Sequence, residues 1–242
     1  MIGVVVVSHS SALAHAAVAL ALQMVQGERP AIAIAAGAGE GLIGTDAMAV
    51  SAAIDEVASP DGVLVIMDLG SAVMSAEMAL DFRSSDTEVR LSSAPFVEGL
   101  LAAIVTAAGG MSLDDVDREA RAALAPKISM LDVPASAPAS APVSAPADAP
   151  AGVSADLTII NADGLHARPA AAVVSSLAGF EAKLTVVNNR TASAPVSAHS
   201  LIGLLSLGAK VGDVLTVTAS GAQAAEALAK VTGLVTEGFG EL

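Results

Sequence analysis

The second half of the chain is organised around the sequence Gly-Leu-His-Ala-Arg-Pro at residues 164–169. Proline is well tolerated in the first turn of a helix, so Pro169 predicts a helix that begins next to His166. The first N–H groups of a helix have no intrahelical partner and carry the positive end of the helix dipole, which makes a site for anions. The same positive end favours a neutral, nucleophilic imidazole, and Arg168 adds a planar cation that suits phosphate oxygens. The pattern therefore predicts a phosphate site built on His166; a simple capping or surface histidine is the alternative.

Outward from this stretch, the sequence pattern is typical of a small α+β domain. It predicts strands at residues 157–160 and 181–187, a short strand from residue 190, and a strand at residues 214–219. Helices are predicted at residues 167–177 and 198–206 and from residue 222. The pair Asn188-Asn189 tolerates positive φ and predicts a hairpin. The order β-α-β-β-α-β-α indicates an open-faced sandwich over residues 156–242, one sheet with helices on one face.

The first half of the chain, residues 1–131, predicts a different architecture. Apolar strand patterns at residues 2–7, 31–36, 62–67 and 88–92 alternate with helical patterns at residues 10–26, 45–58, 71–82, 95–108 and 112–124. Continuous apolar strands separated by helices favour a mostly parallel α/β sheet with helices on both faces. Thr45 is predicted to cap its helix, with Asp46 in the first turn, where a negative charge meets the helix dipole favourably.

His9 follows the first predicted strand, at the edge where open parallel sheets bind their ligands. Asp68 follows the third strand in the same way. If the two strands are neighbours, Asp68 can reach His9, fix its tautomer and leave the other ring nitrogen free to attack. Glycines follow the second strand at positions where bare backbone can approach a phosphate: Gly37, Gly39, Gly41 and Gly44. A loop histidine without a role and an ordinary glycine loop are the alternatives.

Residues 132–155 have the composition of a linker between these two domains. Only Ala, Ser, Val and Asp separate prolines that recur at every fourth position: Pro134, Pro138, Pro142, Pro146 and Pro150. Such a segment cannot bury a core, and fully extended it would reach roughly 70 Å at about 3.1 Å per residue. A mobile tether is what a relay between two domains needs, although a spacer without further consequence fits the composition equally well.

The composition excludes several classes of function. The 242-residue chain has 54% hydrophobic residues and a formal net charge of −14, so it can bury a core but is a poor candidate for nucleic acid or an anionic membrane. It has no cysteine, which excludes disulfides and thiolate metal sites, and no signal peptide or membrane span is predicted, so we expect a cytoplasmic protein. No pair of histidines or carboxylates has a spacing that strongly indicates a metal site. The sequence contains no P-loop motif, so direct use of ATP is not indicated.

The region around His166 resembles a known family. Gly-Leu-His-Ala-Arg-Pro-Ala at residues 164–170 is similar to the active-site signature of HPr, the histidine-containing phosphocarrier of the bacterial phosphotransferase system, and residues 200–209 resemble its second helix. The resemblance implies that His166 is phosphorylated and that Arg168 binds the phosphate. Ser200 falls where some members carry a regulatory phosphoserine; the alternative, which we favour, is a serine that satisfies N–H groups at a helix N-terminus.

The first domain resembles a second family through four segments. Val-Val-Ser-His-Ser-Ser at residues 6–11, Ile-Gly-Thr-Asp at 43–46, Met-Asp-Leu-Gly-Ser-Ala at 67–72 and Ala-Pro-Phe-Val-Glu-Gly at 94–99 are similar to the DhaM family. DhaM is the phosphotransfer subunit of dihydroxyacetone kinase and is related to mannose-type IIA domains. The resemblance implies that His9 is phosphorylated, that Asp68 orients it, and that Thr45 and Ser71 lie in the site. It also implies a homodimer through this domain.

Together the two resemblances imply a phosphohistidine relay. Phosphoenolpyruvate supplies the phosphoryl group through a separate enzyme I to His166, from which it passes to His9. The acceptor is ADP in the nucleotide-binding subunit of the kinase, and the ATP formed phosphorylates dihydroxyacetone. No tightly bound cofactor is implied. Two alternatives stay open: the IIA component of a mannose-type sugar transporter, and a regulatory module whose phosphorylation state controls binding.

Overall fold

The structure, a computed structural model, describes residues 1–25, 27–39, 41–131 and 152–241. They form two units, Met1–Leu124 and Ala125–Leu242. The proline repeat of the predicted linker lies outside the described residues.

The first unit contains a four-stranded parallel sheet in the order β2-β1-β3-β4. Its strands are β1 (Gly3–Ser8), β2 (Ile32–Ala36), β3 (Val63–Met67) and β4 (Val89–Ser92). Every residue of β1 and β3 is buried, as expected for apolar strands covered on both faces. The register pairs Val7 with Met67, so the residues that follow β1 and β3 emerge side by side at one edge of the sheet.

Helices cover both faces of this sheet, as predicted. They are α1 (Ser11–Leu22), α2 (Ala47–Glu56), α3 (Gly70–Phe82), α4 (Phe96–Ala108) and α5 (Leu113–Ala122). The core on one face joins alternate strand residues, such as Val5, Val7 and Val65, to α2 and α3. Helices α1 and α4 pack together on the opposite face, and α5 packs on α4.

One local prediction for the first half was wrong, and one helix was missed. Asp46 rather than Thr45 caps α2, because Asp46 has the extended backbone of a cap residue and its side chain accepts a hydrogen bond from Met48 N at 2.8 Å. The short helix α6 (Ala125–Met130) was not predicted, and it groups with the second unit.

The second unit has an antiparallel sheet in the order β5-β8-β6-β7. The strands are β5 (Val153–Thr158), β6 (Lys183–Asn188), β7 (Val196–Ser197) and β8 (Val214–Ser220). The helices are α7 (Ala167–Ser176), α8 (Leu201–Ser206) and α9 (Ala224–Thr236). Buried residues alternate with more exposed ones along β6 and β8, which is the pattern of the predicted open-faced sandwich.

This unit departs from prediction at two strands. β5 begins at Val153, before the expected boundary at residue 156, because the residues from Val153 onward pair with β8. β7 begins at Val196 instead of near residue 190, since a longer loop follows β6. Positive φ occurs in that loop at Ala192, at 47°, and not at the asparagine pair.

Candidate functional site

The ring of His9 is held between the ends of two strands. Its Nδ1 lies 2.9 Å from Asp68 Oδ1, and its Nε2 lies 2.7 Å from Ser71 Oγ. The contact predicted between Asp68 and His9 is therefore present, and it follows from the adjacency of β1 and β3. Because a carboxylate only accepts hydrogen bonds, Nδ1 carries the proton of the neutral ring, and Nε2 has the lone pair that can attack phosphorus.

Asp68 is itself fixed by four donors. Besides the ring, it accepts hydrogen bonds from His9 N at 2.8 Å, from Ser8 Oγ at 2.9 Å and from Leu69 N at 2.7 Å. Burial raises the pKa of this carboxyl, but the hydrogen bonds outweigh burial and hold the pKa of Asp68 below its usual range. Only 8% of its side chain is exposed, so Asp68 is an ionised carboxylate that its hydrogen bonds hold beside the ring.

Two helix N-termini meet at His9. Ser10 caps α1, and Ser71 lies in the first turn of α3. A pocket of about 410 Å³ beside His9 is lined by the start of α1 and by the loop that follows β2: Ser10, Ser11, Ala12, Gly39, Gly41, Leu42 and Ile43. No Lys or Arg is among these described lining residues. Backbone N–H groups and hydroxyls, rather than basic side chains, are therefore the groups available to a phosphoryl group on Nε2.

Thr45 is not brought to the ring. Its Oγ1 lies 2.7 Å from Ser75 Oγ, a contact that links the start of α2 to α3. The described contacts of His9 include Ser71 but not Thr45, so of these two candidates only Ser71 is at the reacting nitrogen.

His166 stands at the N-cap position of α7, as the sequence predicted. Its Nε2 lies 3.0 Å from Glu241 Oε2, and the other oxygen of that carboxylate is 3.8 Å from an Arg168 terminal nitrogen. Glu241 thus assigns the proton of the neutral ring to Nε2, and Nδ1 has the lone pair. Arg168 is 52% exposed and is accessible to a ligand. Nothing in the motif indicated Glu241, which is 75 residues away in sequence.

The other candidate residues have local partners. Ser200 caps α8, where its Oγ accepts a hydrogen bond from Gly203 N at 2.8 Å, which is the alternative favoured from the sequence. The Nδ1 atom of His15 lies 2.8 Å from the Ser11 carbonyl oxygen, and the Nε2 atom of His199 lies 3.1 Å from the Ala182 carbonyl oxygen.

Within the described ranges, no three His, Asp or Glu side chains cluster as a metal ion would require. No described helix has the length and apolar character needed to cross a bilayer.

Two family models match the chain. Residues 3–117 match the fructose IIA component of the phosphotransferase system, and residues 153–237 match the HPr component phosphorylation site.

Curated relatives extend this similarity. The chain is 43% identical over 174 residues to the phosphoryl donor subunit DhaM of the phosphoenolpyruvate-dependent dihydroxyacetone kinase of Escherichia coli, covering 70% of this chain and 37% of the relative. It is 44% identical over 176 residues to the Pantoea ananatis subunit of the same name, with the same coverage. A Listeria innocua DhaM subunit is 32% identical over 107 residues, which cover 43% of this chain and 85% of that protein. The chain thus spans well under half the length of the first two relatives.

Proposed function

The chain belongs to the DhaM family of phosphoryl donor subunits, and on this premise we propose that it is a two-step phosphohistidine relay. The phosphoryl group enters from phosphoenolpyruvate through enzyme I, rests on His166, moves to His9, and leaves to ADP held by the nucleotide-binding subunit of a dihydroxyacetone kinase. The ATP formed there phosphorylates dihydroxyacetone. The names of the relatives favour this acceptor over a sugar-transporter IIB domain.

One observation carries the proposal: each histidine has a carboxylate on one ring nitrogen, and the other nitrogen is the one available for phosphorus. At His9 the carboxylate is Asp68, on Nδ1, and at His166 it is Glu241, on Nε2. In the transfer step the Nδ1–P bond of His166 breaks as the Nε2–P bond of His9 forms. Each ring keeps the proton on its other nitrogen, so no separate acid or base is needed.

Positioning and charge neutralisation supply the catalysis of such a step, because phosphoryl transfer requires the entering and leaving atoms to lie in line. At His166 the cation is Arg168. At His9 the starts of α1 and α3 supply N–H groups and the Ser71 hydroxyl. We include in the proposal a cytoplasmic location, no tightly bound cofactor, and a homodimer through the first unit. Sedimentation of the full chain tests the dimer.

The experiment that tests the relay is site mapping of acid-labile phosphate on the full chain. The chain is incubated with phosphoenolpyruvate and enzyme I, with and without the ADP-loaded kinase subunit. We expect label on both histidines of the unsubstituted chain, on His166 alone in the His9→Ala variant, and on neither in the His166→Ala variant. His199→Ala is the matched control, since it removes a histidine of the second unit that lies outside the site.

Full labelling of the His166→Ala variant in the absence of another HPr would contradict the order of the relay. Continued ADP-dependent loss of label in the His9→Ala variant would contradict His9 as the donor to the kinase. Label that reaches a IIB domain but never ADP would replace the kinase with a sugar transporter as the acceptor.

A further inference from the structure

A buried carboxylate in the second unit organises the loop between α8 and β8. Asp213 has a 6% exposed side chain, and its Oδ2 accepts hydrogen bonds from Lys210 N at 2.9 Å and Asn188 Nδ2 at 3.0 Å. Its Oδ1 accepts from Arg190 Nε at 2.6 Å. Every donor comes from the loop itself, from the last residue of β6 or from the turn that follows β6, so the carboxylate joins these segments.

The two side chains that bind Asp213 each make a second hydrogen bond, to a backbone carbonyl of the loop. Asn188 is fully buried and also donates to the Leu207 carbonyl at 3.1 Å. Arg190 also donates to the Gly208 carbonyl at 3.1 Å. The hydrogen bond from Arg190 is the largest of the effects that lower the pKa of Asp213 to about 2, so the carboxylate stays charged. The path of residues 207–213 is thus set at three backbone points: the Leu207 carbonyl, the Gly208 carbonyl and the Lys210 N–H.

The loop at residues 207–213 packs against the segment between β5 and α7, which contains His166. Leu165 N donates to the Ala209 carbonyl at 2.9 Å, and Gly164 lies so close that a Cβ there would be 2.3 Å from the same oxygen. Upstream, Ile159 N donates to the Asp213 carbonyl at 2.9 Å, and Gly212 N donates to the Ile159 carbonyl at 2.8 Å. Both ends of the segment between β5 and α7 therefore rest on the loop that Asp213 organises.

We infer that Asp213, together with Arg190 and Asn188, is a positioning network for phosphorylation of His166. It never touches the imidazole. It fixes the loop against which Gly164 and Leu165 pack, and thereby the place of the ring at the start of α7. This inference rests on the proposed function, because it assumes that His166 receives a phosphoryl group.

The physical reason is the sensitivity of in-line transfer to geometry: a displacement of about 1 Å can lower a rate by about 100-fold. A loop held only by backbone contacts at a surface has several conformations of similar energy, whereas a buried ion with three donors selects one. Loss of the carboxylate removes the acceptor that Lys210 N, Asn188 Nδ2 and Arg190 Nε share, so the loop keeps only the weaker ties of Asn188 and Arg190 to the Leu207 and Gly208 carbonyls.

The test compares three variants of the full chain in the His9→Ala background, so that only the second unit carries label. Asp213→Asn removes the charge with little change of shape, Arg190→Gln removes the side-chain partner, and Val231→Ala is a control that opens the core at α9. Three quantities are measured well below the unfolding temperature of each variant: kcat and KM for labelling by enzyme I, and the rate of hydrogen exchange of the Leu165 amide. The Val217 amide of β8 is the internal reference.

We expect Asp213→Asn to lower kcat about 10-fold or more with KM within twofold, and to speed exchange at Leu165 about 10-fold without speeding it at Val217. Arg190→Gln should act in the same direction, and the double variant should be no worse than the more damaged single variant, because the residues act as one unit. Val231→Ala should lower the unfolding temperature and leave kcat unchanged. If Asp213→Asn does not fold, Arg190→Gln decides.

Unchanged kcat and unchanged exchange at Leu165 in a folded variant would overturn the inference. An equal loss of kcat in Val231→Ala would also overturn it, since the role would then be general stability. If the His9→Ala chain takes no label at His166, the proposed function fails, and exchange at Leu165 still decides whether Asp213 orders the segment.

Discussion

Replacing Asp68 with Asn tests the proposed reactivity of His9, because the two side chains have the same shape and differ in charge. The carboxylate accepts four hydrogen bonds, with donor distances of 2.7–2.9 Å. In the least costly orientation, the amide oxygen replaces Oδ1 and keeps the bonds from His9 Nδ1 and Leu69 N. The amide N–H₂ then faces the Ser8 hydroxyl, which can turn to accept, and the backbone N–H of His9, which cannot.

The magnitude follows from this arrangement. One hydrogen bond is lost and the others become neutral, and a bond to a charged group contributes about 1.5–3 kcal/mol against about 0.5–1.5 kcal/mol for a neutral pair. A loss of about 1.5–3 kcal/mol at the ring, which becomes more positive as Nε2 attacks phosphorus, corresponds to a fall of about 10- to 150-fold in the rate of transfer to His9. The unfolding free energy of the first unit should fall by about 2 kcal/mol.

The assay is the single-turnover transfer of label from phosphorylated His166 to His9, followed by rapid quench. Asp55→Asn is the matched control, since Asp55 also accepts hydrogen bonds from two backbone N–H groups, at 2.8 and 2.9 Å from Ser84 and Ser85. Asp55 lies in the last turn of α2, near the amino ends of the strands, whereas His9 lies at their carboxyl ends. A folded Asp68→Asn variant that transfers within threefold of the unsubstituted chain would refute the role given to the carboxylate.

Four further outcomes are expected. Ser71→Ala removes the hydroxyl 2.7 Å from the reacting nitrogen and should slow the same transfer about 3- to 30-fold without lowering the unfolding temperature; an unchanged rate would remove Ser71 from the site. Gly164→Ala, at φ +70° with a Cβ 2.3 Å from a carbonyl oxygen, should destabilise the second unit by about 2 kcal/mol or more in thermal unfolding, whereas Gly233→Ala in open space on α9 should stabilise it by up to about 1 kcal/mol. Glu241→Gln removes a negative charge beside His166 and Arg168 and should strengthen binding of inorganic phosphate severalfold in an NMR titration, and weaker binding would show that Glu241 helps to hold the anion. The pKa of Asp213 is about 2 when folded against 3.8 ordinarily, so its contribution to stability is present above about pH 4 and is lost as the pH falls through that interval toward 2; acid unfolding followed by circular dichroism should show a shallower slope there in Asp213→Asn.

The sequence predicted those parts of the site that depend on where strands and helices begin and end. Continuous apolar runs identified β1 and β3, and a parallel sheet places the residues after such strands at one end, so the approach of Asp68 to His9 could be predicted on the condition that β1 and β3 are neighbours. The structure supplies that strand order. The start of α7 directly after His166 was likewise evident, because a helix tolerates proline in its first turn and not in its interior.

The sequence did not predict contacts made by side chains across long separations. Glu241 and Asp213 are single acidic residues with no periodic or motif context, and only the closed fold brings them to His166 and to the loop that supports it. Thr45 shows the converse case: a good cap residue loses the position to its neighbour Asp46, because the backbone of the loop, and not propensity, decides which residue is last before the helix.

The two sites share one principle and differ in what surrounds the phosphoryl group. Under the proposed relay, a carboxylate at each ring keeps the proton on the nitrogen that does not react. Both phosphorylated rings are therefore stabilised in the same way, and the two imidazoles contribute nearly equally to the equilibrium of phosphoryl transfer between them. The difference between the two sites lies in the groups that bind the phosphoryl oxygens.

The anion site at His166 has one helix N-terminus and an exposed arginine, whose charge solvent screens strongly. At His9 two helix N-termini and a hydroxyl converge beside a pocket, where fixed dipoles need little reorganisation. Transfer toward His9 is therefore favoured by the protein's fixed dipoles, and the preference should persist at high salt, whereas an arginine-based preference would weaken.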